Sequence, residues 1–398
     1  DIIIFSKKQK NTLIIQTMSR SYINATTKSN LLLPPSREEL LAREPDLLSI
    51  DQSIDFDQLR VVIETAISKY KEDNASVDNT MSHDHDDVIL KPFTESSCPR
   101  SKYSRKNAGR PSYDPIIFFK IFILQILFNL SDAMVHKYIL DRQSFLAFLD
   151  IDVTLVPSSK TIWKYRELFI KAGVFELINI LTMQHIAQLD EVKNSDSIAI
   201  DSSFTNVPIQ RNTRDENKVI KDGNGDQLWN DHPAKKRQKD IDSRWTQKGG
   251  HRYYGYKLHI AVCCLTKLIT SMLTTAACVH DSQVIAPLVR EEDHGKSLYA
   301  DSAYSGKKQI DEIKQLNLKP AVCEKGKRNT PLTDEQKKNN REKSKTRARV
   351  EHVFAQIAHW DGDILRTIGK KRADSYHHML VWCYNIKRLM FLGLPLPF

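Results

Sequence analysis

The hydrophobic period of this chain changes at about residue 196, and that change constrains the fold more than any other feature. Beyond it, "DSIAIDSSF", "YYGYKLHIAVC" and "LITSMLTTAACV" alternate or run apolar in short β-branched segments, which predicts three strands. "DSQVIAPLVREE" then reads as a helix with Asp281 as its cap, "KSLYADSAYSG" as strand and turn, "KKQIDEIKQLN" as helix and "KPAVCEK" as strand. A basic loop leads into a last helix at "TRARVEHVFAQIA" (346–358). Three strands, then strands alternating with helices, make an α/β domain with a mixed sheet flanked by helices on both faces.

Before residue 196 the reading is helical. Pro115 in "GRPSYDP" suits a first helical turn, followed by the apolar run "IIFFKIFILQILFNL" (116–130). That run is too short to span a bilayer and carries Lys120 and Gln125, so a buried helix is expected and no membrane partner. Ser131 or Asp132 caps the next helix, and Ser158 or Ser159 starts a third that carries Lys160, Lys164 and Arg166. Helices joined by short polar breaks fit a helix-turn-helix DNA reader, and a plain helical bundle fits the same pattern. The expected division is therefore an N-terminal extension (1–104) with a helix at 55–72, a helical DNA-binding or dimerisation domain (105–190) and an α/β domain (191–398) with a polar insertion at about 205–250. The chain begins with Asp, so a natural start at Met18 is expected, with poor order before it.

At 398 residues and 40% hydrophobic, the chain can bury a sizeable core. Its 59 basic against 49 acidic residues give a net charge of +10, which suits a polyanionic partner. The charge is unevenly spread: 37–95 holds 15 Asp/Glu against 6 Lys/Arg, whereas 325–349 holds 10 Lys/Arg against 3 acidic residues. Cys98, Cys263, Cys264, Cys278, Cys323 and Cys383 show no C-x-x-C spacing, which points to reduced thiols in a cytosol. The cluster His83, Asp84, His85, Asp86, Asp87 reads as an acidic loop rather than a metal site, for want of apolar context to hold the ligands.

Two strands end alike, "IAIDSS" and "LYADSA", and deliver Asp201 and Asp301 where α/β sheets gather chemistry. Each alone could be a turn former. In the last helix, Val350, Val353, Phe354 and Ile357 form one apolar stripe with Glu351 and Arg347 together on its flank, as a surface salt bridge or as something more. Three carboxylates brought together from separate elements repel one another unless a cation sits among them, and an all-oxygen donor set selects hard ions such as Mg²⁺ or Mn²⁺. Two such ions about 4 Å apart serve phosphoryl transfer. Lys257 and His259 alternate on one strand face and could reach a phosphate or the site; an exposed strand face explains them equally. His280 fits a local hydrogen bond. Trp229 and Trp245 in the insertion fit either base stacking or a satellite core, whereas Trp360 and Trp382 read as core.

With Asp201, Asp301 and Glu351 in strand, strand and helix order, and with "GYKLHIAVC", "TTAACVHDSQ", "ADSAYSG" and "RARVEH", residues 105–390 resemble the DDE transposases of bacterial insertion sequences, family five, which have an RNase H-like core. The resemblance implies cleavage at the element's end to free a 3′-OH, which then attacks target DNA at the same site. It implies that Asp201, Asp301 and Glu351 bind two Mg²⁺ or Mn²⁺ ions, and that Arg347 orients the glutamate or holds a phosphate. Lys160, Lys164, Lys257, His259, Lys345 and Arg349 are the other expected DNA contacts. The implied partners are double-stranded DNA, as terminal inverted repeats and target, and a second copy of the chain or a higher oligomer; the implied location is the bacterial cytoplasm, at the nucleoid. Ala358 and Ser344 depart from the family pattern, which has a lysine and a tyrosine there. A nuclease that cannot join strands and an inactive DNA-binding repressor of the element are the alternatives.

Overall fold

The computed structural model describes residues 35–75, 112–326 and 331–398. The expectations for Met18, for residues 1–17, for the His83–Asp87 cluster and for Cys98 lie outside these. Six strands form one mixed sheet: β1 (Ser197–Asn206), β2 (Arg244–Lys248), β3 (His251–Cys263), β4 (Ile269–Ala276), β5 (Ser297–Ala300) and β6 (Lys319–Val322). Their order is β2-β3-β1-β5-β6, with β4 also on β3. β1, β3 and β4 run antiparallel in sequence, whereas β5 and β6 lie parallel to β1 on its other side. β2 and β4 share one edge of β3, pairing with its first and second halves.

The apolar run Ile198, Ala199, Ile200 is continuous because both faces of β1 are covered. Ala199 joins Leu258 and Ile260 against Val350, Val353 and Ile357 of the helix Asp334–His359. Ile198 and Ile200 join Ala261, Ile285, Leu288 and Ile313 on the opposite face. The expected layers are therefore present.

The helical region shares the first of these cores. Phe119 packs edge-on against Trp382 at 5.0 Å, and the helix Lys370–Leu392 touches Pro115–Leu127, Val174–Gln188 and β4. Both Trp360 and Trp382 are buried, as expected. Lys120, inside the apolar run, is buried and paired with Asp51 at 3.1 Å while donating to Phe148 O at 2.8 Å, which explains how a core helix tolerates it. Among the described residues no single helix is long and apolar enough to cross a membrane. The helix expected at 55–72 spans Phe56–Ala75, and Leu41, Leu47, Leu59 and Ile63 bury themselves in the same core, so residues 37–75 are an integral layer rather than an appendage. Ser131 and Ser158 cap their helices through the amides of Met134 and Thr161. Between those helices lies a further one, Gln143–Leu149, where a three- or four-residue turn would mark a simple helix-turn-helix.

Two expectations are corrected. The basic stretch is not a loop beyond Thr333: from Asp334 to His359 it is one 26-residue helix, started by a capping box in which Thr333 and Gln336 satisfy each other's amides. "DSQVIAPLVREE" forms no single helix but three short helical turns, Asp281–Gln283, Ile285–Leu288 and Glu291–Asp293. Pro287 denies a longer helix one amide there. His280, not Asp281, is the capping side chain, accepting from the Ser282 amide, which leaves the Asp281 carboxylate free for other partners.

Candidate active site

Ala199 of β1 pairs in parallel with Tyr299 of β5, the last residue pair before the two strands separate. Two residues further along each strand stand Asp201 and Asp301, so the repeated motif is a repeated position. Neighbouring strands lie about 4.8 Å apart, and residues at matched positions point to the same face. Asp201 is not at the end of β1, which continues to Asn206 against β3; it sits where β1 loses β5. Asp301 follows β5 directly and caps the turn Ser302–Tyr304 by accepting from the Ala303 amide.

The helix Asp334–His359 crosses this point and supplies the third group. Arg347 donates through Nη2 to Glu351 Oε1 at 2.6 Å and through Nη1 to Asp201 Oδ2 at 3.3 Å. One guanidinium thus ties the first carboxylate to the last. Burial pushes the Asp201 carboxyl up to about 6; Asp301 adds to the rise, and the Ser202 amide and Arg347 oppose it. Negative charge is concentrated here and only partly offset. Among the described residues no group of three or more His, Cys, Asp or Glu is gathered closely enough to hold a metal ion. Glu351, half exposed, faces Arg347 instead.

Lys257 and His259 do share a strand face, but neither is exposed: their residual exposures are 6% and 0%. The exposed-face reading is thereby corrected. Lys257 is spent on Asp281, 2.9 Å away, and on Val279 O at 2.7 Å. His259 Nε2 meets Thr275 Oγ1 at 2.8 Å, and burial pushes the imidazole down to about 4. Neither presents a cation to a passing backbone. Asp281 also accepts from Ser202 Oγ at 2.8 Å, and the Ser202 amide donates to Asp201 Oδ1 at 2.8 Å, so the buried pair supports the first carboxylate from beneath. Tyr304, beside Asp281, Asp201 and Asp301, is raised by burial and then by those three charges. The signal for this layer was "VHDSQ", whose aspartate resembles any helix cap until the fold closes over it.

Lys160 and Lys164 are exposed on the helix Ser159–Lys171, with Trp163 between them 47% exposed; Arg166 turns inward to Asp132 and Gln125. Lys345 is exposed and pairs with Glu342 at 2.8 Å, and Arg349 is exposed one turn further along the same helix. The insertion is folded. Trp229 donates to Glu216 at 2.7 Å with Lys235 and Lys239 over its ring, a satellite core rather than a base platform. Trp245 is half exposed beside Tyr254. His280 makes the expected local bond, to Ser282 Oγ at 2.8 Å.

Residues 194–386 match a family model described as "Transposase DDE domain", and residues 73–168 match one described as "Transposase domain". The first match contains all three carboxylates, Arg347 and the Lys257–Asp281 layer. A solved structure, the piggyBac transposase synaptic complex with hairpin DNA, is similar at 11% identity and a TM-score of 0.38, covering 74% of this chain and 71% of that one.

Proposed function

Because the chain is a DNA transposase, with a transposase DDE domain over residues 194–386, we propose that Asp201, Asp301 and Glu351 are its catalytic carboxylates and that they hold divalent ions for cleavage and strand transfer. The observation that carries this reading is the matched position of Asp201 and Asp301 beyond the Ala199–Tyr299 pair, with Arg347 bonded to both Asp201 and Glu351. The donor chemistry, carboxylate oxygens alone, suits a hard cation, Mg²⁺ or Mn²⁺, in one or two copies, and Glu351 would turn from Arg347 to join the two aspartates around it. Bound there, such ions neutralise charge on the attacking and leaving oxygens of a phosphodiester.

The chain's own groups do the rest. Arg347 holds Glu351 and Asp201 in mutual register, and its planar fork matches a non-bridging phosphate pair when DNA enters. The Ser202 amide and the Asp281–Lys257 pair fix the Asp201 rotamer from the covered side. The antiparallel β4-β3-β1 run followed by parallel β5 and β6 supports the RNase H-like reading of this core, and the motif set supports the insertion-sequence family-five reading. Exposed Lys160, Trp163 and Lys164 on one helix support that helix as a DNA contact, in a helix-turn-helix arrangement or a looser one. An oligomer on paired element ends belongs to the same proposal.

The test is Asp301→Ala on a duplex carrying the element's end: cleavage in Mg²⁺ disappears while a gel shift in EDTA persists. Retained cleavage refutes the assignment. A pre-cut 3′-OH end that yields no joined product would leave a nuclease, and wild-type binding without any cleavage in Mg²⁺ would leave a repressor.

A further inference from the structure

The turn between β3 and β4 brings together cations that no element of the active site uses. Lys267 at its tip has a φ of +61°, in the left-handed region, and the turn is braced on two sides. The Tyr384 hydroxyl donates to Lys267 O at 3.0 Å, and Arg388 Nε donates to Thr266 O at 2.7 Å. Arg388 is further held by the Phe391 ring, 4.9 Å from its guanidinium carbon. The Lys267 ammonium donates to His352 Nδ1 at 2.8 Å. An ammonium has only donors, so the imidazole accepts there and turns its Nε2–H outward. Burial lowers the Lys267 ammonium, and Arg388 and Arg349 lower it further, which marks three like charges held close together. Among the described residues none of these three has a carboxylate within salt-bridge distance.

Like charges crowded on braced backbone, with no acid between them, cost stability that a bound polyanion offsets. The position indicates which one. His352 follows Glu351 directly and Arg349 precedes it by two residues, so one helix carries both the catalytic glutamate and this patch. Along the sheet, the Asp201–Ile260 pair and the Ile198–Cys263 pair that leads into the turn are three residues apart. At about 3.4 Å per residue that puts the start of the turn roughly 10 Å from Asp201, a reach of a few phosphates along one DNA strand.

We propose that Lys267, Arg349, Arg388 and the outward N–H of His352 form a docking surface for the DNA phosphate backbone, a few phosphates from the scissile bond. This rests on the reading of Asp201, Asp301 and Glu351 as the cutting site, but its test does not. The surface sets affinity and register, and it takes no part in bond breaking.

Lys267→Asn removes the charge while keeping a residue that tolerates a positive φ, and Arg349→Gln removes a second charge from an exposed helix position. Full-length protein is titrated in EDTA against a labelled mixed-sequence duplex of about 40 base pairs over a range of salt, so that each lost phosphate contact lowers the slope of log K against log salt by about 0.9. If affinities converge near 1 M salt, that slope predicts binding about eightfold weaker for each variant at 0.1 M salt. Lys267→Arg retains the wild-type affinity and salt slope. Unaltered affinity and slope in both charge-removing variants would overturn the proposal. So would a loss of self-association with DNA binding intact, which would assign the patch to a protein partner. If wild-type protein never cleaves, the catalytic reading fails while this binding measurement still decides the docking surface.

Discussion

Lys257→Met separates the covered layer from the open site. Lys257 and Asp281 are 8% and 13% exposed as side chains and 2.9 Å apart, and the lysine also donates to Val279 O. Burial by itself pushes the Asp281 carboxyl up; Lys257, Ser202 and His259 together pull it below the ordinary carboxylate range. Without Lys257 the burial cost stands nearly alone. Breaking a buried pair from one side costs about 3–5 kcal/mol, and about 3 is expected because Ser202 Oγ still donates to Asp281. In a chain this long 1 kcal/mol moves Tm by about 2 °C, so the variant melts about 6 °C lower. Replacing both partners, as in Lys257→Met with Asp281→Leu, recovers more than half of that, since no orphan charge remains. Reversible denaturant unfolding of wild type, both single variants and the double variant closes the cycle. A single-variant loss below about 1 kcal/mol, or a double variant as unstable as the sum of the singles, would refute the claim that this pair acts as a buried unit.

Arg347→Lys keeps the charge but loses the fork that spans Asp201 and Glu351, so cleavage falls roughly 10- to 100-fold while a gel shift changes little; an undiminished rate shows the bridge to be incidental. His377 is buried between Thr205 Oγ1 at 2.8 Å and Thr274 Oγ1 at 2.9 Å, and burial lowers it to about 3. Its folded pKa lies below its unfolded value of about 6.5, so its contribution is complete above pH 6.5 and is lost as pH falls toward 3, by at most about 1.4 kcal/mol per pH unit. Thermal melts of wild type and His377→Gln diverge in slope over that window, and parallel slopes would contradict a neutral buried imidazole. Tyr256→Phe strips Asp240, 2% exposed, of the hydroxyl that reaches its two oxygens at 2.7 and 2.9 Å, and costs about 1–3 kcal/mol by urea unfolding. Because Asp240 also accepts from the Gly369 amide, protease cutting within 207–243 increases in that variant.

The legible parts of the chain were those where local pattern and final geometry share a cause. "IAIDSS" and "LYADSA" look alike because both strands leave the sheet at the same level, and the matched pair Ala199–Tyr299 is the spatial form of that likeness. The Arg347–Glu351 contact follows from helical spacing alone. The buried apolar helix at 115–127 was legible from its run length, although the partner that lets Lys120 stay buried, Asp51, stands 69 residues earlier. What failed was inference about who covers whom. Period-two alternation put Lys257 and His259 on one face correctly, but exposure of that face depends on Asp281, 24 residues further on, and on strands that alternation cannot order.

The misread basic stretch leads to the most consequential revision. Dense Lys and Arg between 334 and 349 resembled a solvated loop because no apolar stripe begins until Val350, yet the T-x-x-Q box at 333–336 was the overlooked helix start. As a loop, its cations would reach DNA independently of the site. As one rigid 26-residue helix, they are locked at fixed distances from Glu351, with Lys345, Arg349 and His352 rising about 1.5 Å per residue past it. Backbone contacts made by that helix therefore fix where a strand lies against Asp201 and Asp301. Loosening the helix between its upstream cations and Glu351 tests this coupling: Ala348→Gly leaves each charge in place but relaxes the register of Lys345 and the cations before it against Glu351. It should cost about 1 kcal/mol in stability yet reduce cleavage more than binding. Equal losses in both would mean that the cations and the carboxylates act separately.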